Sequence, residues 1–344
     1  MEILHAVLKK YGINKNAQIE SFGTGLINHT WKINADDQSY ILQKINSNVF
    51  KDPAAIAVNI RSVADYLKQN YPDYLFIAPL KTLDGNEMVE ADGNHYRLIP
   101  FVNNSHSKDV LTNAGQAFEA ARQFGKFTRL LSGFDAGSLK TTLPSFHDLS
   151  LRYKQFLQSL ETGNRKRIEG SGELIEFTQQ HNDIVTQFES IQKGPAFKKR
   201  VTHHDTKISN VLFDESDKAI CVIDLDTLMP GYFISDVGDM MRTYLPTVSE
   251  EEKDFSKIDI RDNVYKAIAD GYRSEMEDEL SADEKDHFFY AGVFMIYMQA
   301  LRFLTDHFNN DVYYGAKYPG HNLIRANNQV VLLQKLLEKK SILS

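Results

Sequence analysis

The sequence predicts an α+β fold in which a β-rich N-terminal part, residues 1–102, precedes a mainly helical C-terminal part, residues 103–344. Segments that alternate apolar and polar residues recur in the first part, and such alternation is typical of half-buried strands. In the second part, the apolar residues recur at helical spacing instead. The polar run from Asn103 to Ser107 lies between the two parts and indicates a connector.

The N-terminal part opens with an amphipathic segment over residues 2–11, which predicts a short helix. Alternating segments then predict five strands, at residues 18–22, 29–33, 39–45, 75–82 and 95–102. The polar turn at 36–38 indicates a hairpin between the second and third strands. Pro53 favours the first turn of a helix that runs to Lys68, with Asp52 as its N-cap.

The C-terminal part contains six segments of helical periodicity. They are residues 112–132, 148–161, 171–191, 260–276, 283–307 and 322–341. One β-hairpin interrupts them, with an apolar strand from Val211 to Phe213, a turn at 214–218 and a second strand from Ala219 to Ile223. Polar residues precede the first strand of this hairpin and follow the second, which makes both ends of the hairpin candidates for a site.

The composition is ordinary for a globular enzyme, with 42% hydrophobic and 25% charged residues among 344. The formal net charge is −7 without a long block of Lys and Arg, so we expect neither nucleic acid nor a membrane as the main partner. Cys221 is the only cysteine, which excludes an intramolecular disulfide and fits a cytoplasmic location. We expect no signal peptide, and the apolar stretch 291–298 is shorter than the roughly 18 residues of a membrane span, so it predicts a buried helix.

The segment from His203 to Asn210 has the spacing His-x-Asp-x4-Asn. Phosphoryl transfer depends mostly on positioning and on charge neutralisation, and this segment offers side chains for both. Asp205 would accept a hydrogen bond from an attacking hydroxyl group and take its proton, while Lys207 would neutralise the moving phosphoryl group. Asn210 would bind magnesium through its amide oxygen.

Asp224 stands fourteen residues after Asn210, at the end of the second strand of the hairpin. The hairpin would bring these two residues together, and two hard oxygen ligands at one point suit magnesium. Asp226 is the next residue on the same face if the strand continues. A single such motif arises by chance, and Asp after a strand is often only a turn residue. The whole pattern of loop, two strands and Asp-x-Asp favours a functional site.

The segment between the first two strands contains Gly23 and Gly25, which would let backbone amides approach phosphates. Lys44 in the third strand is placed to bind the same phosphates. The alternatives are an ordinary hairpin and a solvent-facing lysine. A hinge against which adenine would pack is predicted where the last strand ends, at Pro100, Phe101 and Val102. The alternative there is ordinary strand core.

These segments resemble the aminoglycoside phosphotransferase and choline kinase superfamily, and within it most closely the N-acetylhexosamine 1-kinases. The segments that carry the resemblance are 204–214, 222–231, 235–240 and 300–306, with weaker support from 42–44 and 146–148. The resemblance implies a protein-kinase-like bilobal fold, with ATP and Mg²⁺ as cofactors. Its N-lobe, residues 1–102, would carry the Gly loop and the phosphate lysine. Its C-lobe, residues 103–344, would carry the catalytic loop, the metal site and the sugar pocket.

The resemblance also implies residue roles. It gives the catalytic and metal roles named above to Asp205, Asn210 and Asp224. It implies sugar contacts at His29, Tyr244, Arg302 and Tyr313. Asp226 is also expected to bind the substrate. Some of these have an ordinary alternative, since His29 would cap a strand, Tyr313 would pack in the core, and Arg302 would pair with Asp306 one helical turn on.

Two further expectations concern residues around this machinery. Protein kinases pair the strand lysine with a helix glutamate, but the segment 53–68 contains no Glu. Either Asp65 or Asn59 would replace it, or Lys44 would act unpaired. Asp236 is expected to hold the catalytic loop through hydrogen bonds.

The predicted activity is therefore ATP-dependent phosphorylation of the anomeric hydroxyl of N-acetylglucosamine or N-acetylgalactosamine. One alternative is a kinase for choline, ethanolamine, homoserine or an aminoglycoside, and a cationic acceptor would need an acidic or aromatic cage. The obvious acidic cluster, residues 250–252, is expected to be a solvated helix start. A second alternative is a non-catalytic nucleotide-binding protein. The expected partners are a nucleotide and a small sugar, and the chain is expected to be a monomer or a weak homodimer.

Overall fold

The computed structural model describes residues 1–23, 27–35 and 37–343. The chain divides into two compact units. The first unit comprises residues 1–107, 133–144 and 212–230, and the second comprises residues 108–132, 145–211 and 231–344. The first unit therefore includes two segments that lie beyond the predicted boundary at residue 102.

The strands in chain order are β1 (Gln18–Ser21), β2 (His29–Ala35), β3 (Gln38–Ile45), β4 (Val89–Ala91), β5 (Asn94–Pro100), β6 (Ser105–His106), β7 (Arg200–Thr202), β8 (Val211–Asp214), β9 (Ala219–Val222) and β10 (Met229–Gly231). The helices are α1 (Glu2–Lys10), α2 (Pro53–Asn70), α3 (Ala114–Leu130), α4 (Leu149–Thr162), α5 (Arg165–Glu169), α6 (Gly172–Gln180), α7 (Asp183–Lys193), α8 (Phe233–Tyr244), α9 (Asp262–Met276), α10 (Ala282–Asp286), α11 (Phe288–Phe308), α12 (His321–Glu338) and α13 (Lys340–Leu343).

The first unit is built on an antiparallel sheet in the order β1-β2-β3-β5-β4. Its buried face is formed by alternate apolar residues, among them Ile33, Leu42 and Leu98, which have no exposed surface. Helix α1 covers this face with Val7 and Leu8. Alternation along the strands thus predicts the face that becomes core.

The predicted strand over residues 75–82 is wrong. This segment is irregular, and its Leu80 N–H donates to the carbonyl of Leu98 over 2.8 Å. Pro79 lies within the segment and has no N–H group, so it cannot donate to a strand ladder. The edge position of the sheet is taken instead by β4, which pairs with β5.

Helix α2 begins as its sequence predicts. The Asp52 side chain accepts a hydrogen bond from Ala55 N–H over 3.1 Å, and Pro53 occupies the first turn. A smaller sheet of the same unit has the order β6-β8-β9. The expected connector therefore supplies a short strand, because Ser105 and His106 pair with Asp214 and Phe213.

The second unit is helical, and two of its helices approach closely. Helices α3 and α9 pack along each other. A Cβ atom at Gly271 would collide with the carbonyl oxygen of Phe118, and one at Gly125 would lie 2.9 Å from the carbonyl oxygen of Tyr272. Glycine at these two positions lets the helix backbones meet.

Helix α11 forms the centre of the second unit, where it packs against α4, α8 and α12. By length and composition, this helix is the one candidate for a membrane span in the described part of the chain. Its apolar window is 89% buried inside the protein, as is usual for a core helix. The prediction of a buried helix around residues 291–298 is therefore confirmed.

The helix expectations differ from the structure in four places. The segment 171–191 is divided into α6 and α7, and the segment 283–307 is divided into α10 and α11. Helix α8 was not predicted, because buried polar residues such as Asp236 and Asp239 interrupt its apolar pattern. The acidic cluster 250–252 lies in a turn and does not start a helix.

Candidate active site

The segment 203–210 connects β7 to β8 and ends in a 3-10 turn, Ile208–Asn210. His204 has a left-handed backbone, with φ of +66°. Asp236 in the first turn of α8 holds this bend. Its two carboxylate oxygens accept the backbone N–H groups of His203 and His204 over 3.0 and 2.7 Å. The expectation that Asp236 holds the loop is confirmed.

Helix α8 also holds the backbone on the other side of Asp205. The Thr206 N–H donates to the Asp239 carboxylate over 2.9 Å, and the Thr206 hydroxyl donates to the Asp236 carbonyl over 2.7 Å. The Tyr244 hydroxyl donates to the Thr206 carbonyl over 2.6 Å. One helix therefore fixes the chain before and after Asp205, which preorganises its carboxylate.

The Asp205 side chain itself is accessible, with 27% of it exposed. Lys207 donates to the Asp205 carboxylate over 2.9 Å, and 43% of its side chain is exposed. Asn210 is buried and its amide nitrogen donates to the Asp205 carbonyl over 2.9 Å. Because this nitrogen is engaged, the amide oxygen is the atom of Asn210 suited to a cation.

Burial changes the titration of the residues that hold the loop. It raises the pKa of Asp236 to about 7, although two backbone hydrogen bonds act in the opposite direction. Burial also raises the pKa of Asp239, against the effect of the neighbouring Arg242 guanidinium. It raises the pKa of Tyr244 well above its usual value, so this hydroxyl keeps its proton and remains a donor. With a pKa of about 7, Asp236 is thus a group of this loop support whose charge changes near neutral pH.

A line of ion pairs extends from the loop across the second unit. Asp239 pairs with Arg242 over 3.0 Å, and Arg242 pairs with Glu250 over 3.3 Å. Glu250 also pairs with Arg325, whose guanidinium stacks 5.3 Å from the ring centre of Tyr314. The acids at residues 239 and 250 are therefore engaged by arginines.

A cavity of about 410 Å³ opens in the second unit between α4, α11 and the segment that follows α11. It is lined by Arg152, Gln155, Gln158, Ser159, Thr162, Arg302, Thr305, Asp306, Asn309, Tyr313 and Tyr314. Two of the predicted sugar contacts, Arg302 and Tyr313, are thus brought together, and an Arg302 nitrogen lies 3.4 Å from the Tyr313 hydroxyl.

The ordinary alternatives for these two residues do not hold. Arg302 forms no ion pair with Asp306, because the Asp306 carboxylate accepts the backbone N–H groups of Tyr313 and Tyr314 over 2.7 and 2.9 Å. Tyr313 is 70% exposed and so does not pack in the core. Both side chains line the cavity, where a ligand can contact them.

Aromatic residues connect the cavity to the catalytic loop within the second unit. The rings of His204 and His147 lie 5.4 Å apart, and His147 stacks on Phe146 at 4.4 Å. The Arg302 guanidinium lies 5.8 Å from the Phe146 ring centre. Burial, together with the charges of His204 and Arg302, lowers the pKa of His147 well below its usual value. The His147 ring, which lies between His204 and Arg302, is therefore uncharged at neutral pH.

The first unit contains the two acids of the Asp-x-Asp motif, in different environments. Asp224 follows β9 with a left-handed backbone, φ +61°, and its side chain is exposed. Asp226 is 2% exposed, forms an ion pair with Arg97 and accepts a hydrogen bond from the Asn28 amide over 2.7 Å. The exposed Asp224 carboxylate is accessible to a cation, whereas the Asp226 carboxylate is buried beside Arg97.

Arg97 was missed in the sequence. It lies in β5, is 1% exposed, and donates two hydrogen bonds to the Gln43 side chain over 2.9 and 2.7 Å. The Asn28 side chain in turn accepts the Asn46 N–H over 3.0 Å. The sequence signal was an arginine between Tyr96 and Leu98, and its partner, Asp226, lies far away in the chain.

Lys44 lies in β3, half-buried, between His29 of β2 and Tyr96 of β5. Asn59 does not pair with it. The Asn59 amide nitrogen donates to the carbonyls of Lys140 and Leu228, each over 2.8 Å, and its oxygen accepts the Lys140 N–H. Asp65 is exposed, and in the described ranges Lys44 has no ion pair with it.

The remaining predicted residues of the first unit lie along the sheet. His29 is exposed at the first position of β2, where its ring stacks 6.3 Å from that of Trp31. Gly23 follows β1 with φ of +78°, a conformation that favours glycine. Gly25 lies outside the described residues.

At the predicted hinge, Pro100 ends β5 and has no N–H group to donate. The Phe101 N–H donates to the Ser39 carbonyl over 3.1 Å. The Val102 carbonyl accepts the Ser105 hydroxyl over 2.7 Å. The hinge backbone is thus partly engaged by the protein itself.

Comparison with protein families shows the family to which the chain belongs. A family model described as the APH phosphotransferase enzyme family matches residues 18–280. The chain belongs to this family. It is therefore a phosphotransferase by family, and the predicted superfamily is confirmed.

Solved structures with the same fold cover nearly the whole chain. One is a microcompartment-associated aminopropanol kinase, 17% identical over 98% of each chain, with a TM-score of 0.67. Another is spectinomycin phosphotransferase with ADP and spectinomycin, 12% identical over 99% of this chain and 97% of that one, with a TM-score of 0.62. A third is choline kinase from Cryptosporidium parvum Iowa II, 15% identical over 99% and 96%, with a TM-score of 0.60. At these identities the likeness concerns the fold, and it confirms the predicted protein-kinase-like class.

Proposed function

We propose that this phosphotransferase uses ATP to phosphorylate the anomeric hydroxyl of an N-acetylhexosamine, giving the sugar 1-phosphate and ADP. One observation carries the proposal. Helix α8 holds Asp205 with its carboxylate accessible, and the same unit contains a cavity lined by Arg302 and Tyr313. These are a base for a hydroxyl acceptor and two side chains that can hydrogen-bond a sugar.

In the proposed reaction Asp205 accepts a hydrogen bond from the anomeric hydroxyl and takes its proton as the oxygen attacks the γ-phosphorus. The new bond joins this oxygen to phosphorus, and the bond to the bridging oxygen of ADP breaks. Lys207, which lies 2.9 Å from the Asp205 carboxylate, neutralises charge on the transferred group.

The nucleotide and the metal are proposed ligands. ATP as the donor is supported by the spectinomycin phosphotransferase of the same fold, which was solved with ADP. Asn210 and Asp224 would hold Mg²⁺, because an oriented amide oxygen and an exposed carboxylate are the hard ligands that it prefers. Bound Mg²⁺ would neutralise the β- and γ-phosphates. The proposed nucleotide contacts in the first unit are Gly23, Lys44, Pro100, Phe101 and Val102.

The proposed sugar contacts differ in how far their side chains are exposed to a ligand. His29 and Tyr313 are exposed and Arg302 is half-buried, so each can reach a ligand. Tyr244 has no exposed surface, and its hydroxyl donates to the catalytic loop. We assign it a positioning role instead of a sugar contact, and Asp226, which is bound to Arg97, a positioning role in the first unit.

A cationic acceptor, such as choline or ethanolamine, is the main alternative. It would need a free carboxylate or an aromatic cage. In the acidic cluster 250–252, Glu250 pairs with two arginines and Glu251 pairs with Lys317 over 2.8 Å. These two carboxylates are already neutralised, which favours an acceptor without positive charge.

An acceptor panel with ADP release as the readout tests the proposal. We expect turnover with N-acetylglucosamine or N-acetylgalactosamine and none above background with choline, ethanolamine, homoserine or an aminoglycoside. Choline as the best acceptor would overturn the sugar assignment. Absence of Mg-ATP binding by calorimetry would favour a non-catalytic protein instead.

A further inference from the structure

The cavity beside α4 and α11 contains two arginines that are bound only to neutral groups. Arg152 donates to the Gln155 side chain and to the Ser145 carbonyl, each over 3.0 Å. Arg302 donates to the Gln299 side chain over 3.3 Å and has the Tyr313 hydroxyl at 3.4 Å. Within residues 1–23, 27–35 and 37–343, neither guanidinium forms an ion pair with a carboxylate.

The cavity offers these arginines no spare negative charge. Asp306 is the one acid among the described residues that line it. It is 4% exposed, and its carboxylate accepts three hydrogen bonds, from the N–H groups of Tyr313 and Tyr314 and from the Asn322 amide over 3.1 Å. Its lone pairs are thus directed at the segment that follows α11 and not at the arginines.

Two guanidinium charges that face one cavity repel each other, and water screens them less there than at an open surface. Burial and then the charge of Arg302 lower the pKa of Arg152, although Tyr313, Tyr314 and Asp148 act in the opposite direction. Burial and the charge of His204 lower the pKa of the neighbouring His147 most, and these two arginines act in the same direction. A ligand with negative charge would relieve this repulsion, and the planar guanidinium matches carboxylate and phosphate oxygens in particular.

We infer that the acceptor carries an anionic group, either a carboxylate or a phosphoryl group, and that Arg152 and Arg302 bind it in this cavity. The inference rests on the proposed function, because it names the class of N-acetylhexosamine that this site phosphorylates. The rings of Phe146 and His147 lie between Arg302 and His204 of the catalytic loop. The anionic group is therefore a substituent of the sugar other than the hydroxyl that Asp205 activates.

Three acceptors of one sugar framework test this. They are neutral N-acetylglucosamine, its 6-phosphate and its uronic acid, which carries a carboxylate. We expect kcat/KM for at least one anionic sugar to exceed that of the neutral sugar by about 10- to 100-fold, the effect of one or two charge-assisted hydrogen bonds. The two anionic sugars distinguish a phosphoryl ligand from a carboxylate ligand.

Arg152→Gln and Arg302→Gln each remove one positive charge from the cavity. We expect each to lower the ratio of kcat/KM between the anionic and the neutral sugar by about 10-fold or more. Arg152→Lys keeps the charge, so it should lose less of this ratio. Arg165→Gln is the matched control, because Arg165 is exposed, outside the cavity lining, and bonded to the Glu161 carbonyl. This control should leave the ratio unchanged.

The outcomes separate the inference from the proposed function. The anion site is overturned if kcat/KM for the neutral sugar equals or exceeds that for both anionic sugars. It is also overturned if the ratio of kcat/KM between anionic and neutral sugar is unchanged in both Gln variants. In either case the proposed sugar kinase activity is unaffected. If no sugar is phosphorylated, calorimetry with inorganic phosphate decides. Affinity that falls about 10-fold or more in both Gln variants supports the anion site although the sugar assignment fails. Equal affinity in wild type and variants overturns the site as well.

Discussion

Asp236→Asn tests whether helix α8 positions the catalytic carboxylate. The substitution keeps the size of the side chain but replaces one acceptor oxygen by an NH2 group. Both carboxylate oxygens of Asp236 accept backbone N–H groups, from His203 over 3.0 Å and from His204 over 2.7 Å. In the variant one of these donors loses its acceptor at a site that is 1% exposed. An unsatisfied buried donor costs about 1–3 kcal/mol.

A second effect opposes this loss. Burial raises the pKa of Asp236 to about 7, so the ionised carboxylate carries a desolvation penalty that the neutral amide avoids. We therefore expect a modest net loss of stability, about 1 kcal/mol. Catalysis should suffer more, because a displacement on the order of 1 Å at a reacting group costs about 10²-fold in rate. The Asp205 backbone lies directly after the two residues that lose support.

The measurement compares kcat, the KM for ATP and the unfolding temperature of wild type and variant. The matched control is Asp278→Asn, which removes the same charge from an exposed residue. We expect kcat to fall about 10²-fold in Asp236→Asn and to stay at the wild-type value in the control. A kcat within about threefold of wild type would refute the idea that this carboxylate positions the loop.

Three further predictions concern the same machinery. Asp205→Asn should lower kcat by about 10²–10⁴-fold without a change in unfolding temperature, and near-normal turnover would remove Asp205 from the role of base. Arg97→Met leaves the buried Asp226 charge unpaired and should lower the free energy of unfolding by about 3–5 kcal/mol, measured by chemical unfolding. Adding Asp226→Leu should restore most of the lost stability. A loss of stability under about 1 kcal/mol in Arg97→Met would contradict the ion pair. Protonation of Asp236 removes an acceptor from the loop, so wild-type kcat should fall as pH drops below about 7, and Asp236→Asn should lack this step. The free energy of unfolding should change in the opposite direction to kcat. The pKa of Asp236 is raised from 3.8 to about 7, so its contribution to stability is fully present below pH 3.8 and is lost as the pH rises to about 7. Identical pH profiles of wild type and Asp236→Asn would exclude Asp236 as the titrating group.

The sequence predicts those parts of the site whose residues lie close together in the chain. The loop from His203 to Asn210 and Asp224 after its hairpin could be recognised because loop, strand and turn follow one another. Helix α2 could be placed for the same reason, since Asp52 and Pro53 mark its start locally.

The remaining features depend on contacts between distant residues. Asp226 was predicted as a sugar contact, but its partner Arg97 lies in another strand, and burial of the pair cannot be inferred from either segment alone. The sequence pattern does not predict helix α8, because its polar residues face the protein interior, where they accept hydrogen bonds from the catalytic loop. The paired arginines of the cavity come from α4 and α11, so no local motif contains both.

Identification of the product decides whether this phosphotransferase acts on the anomeric hydroxyl of a sugar. The protein is incubated with Mg-ATP and N-acetylglucosamine, its 6-phosphate or its uronic acid, and phosphorus NMR then determines which sugar oxygen carries the new phosphate. We predict ADP and a new phosphate on the anomeric oxygen, with phosphorus coupled to the anomeric proton, and product formation at least about 10²-fold slower in Asp205→Asn. A phosphate on another hydroxyl, or turnover of choline in place of every sugar, would contradict it.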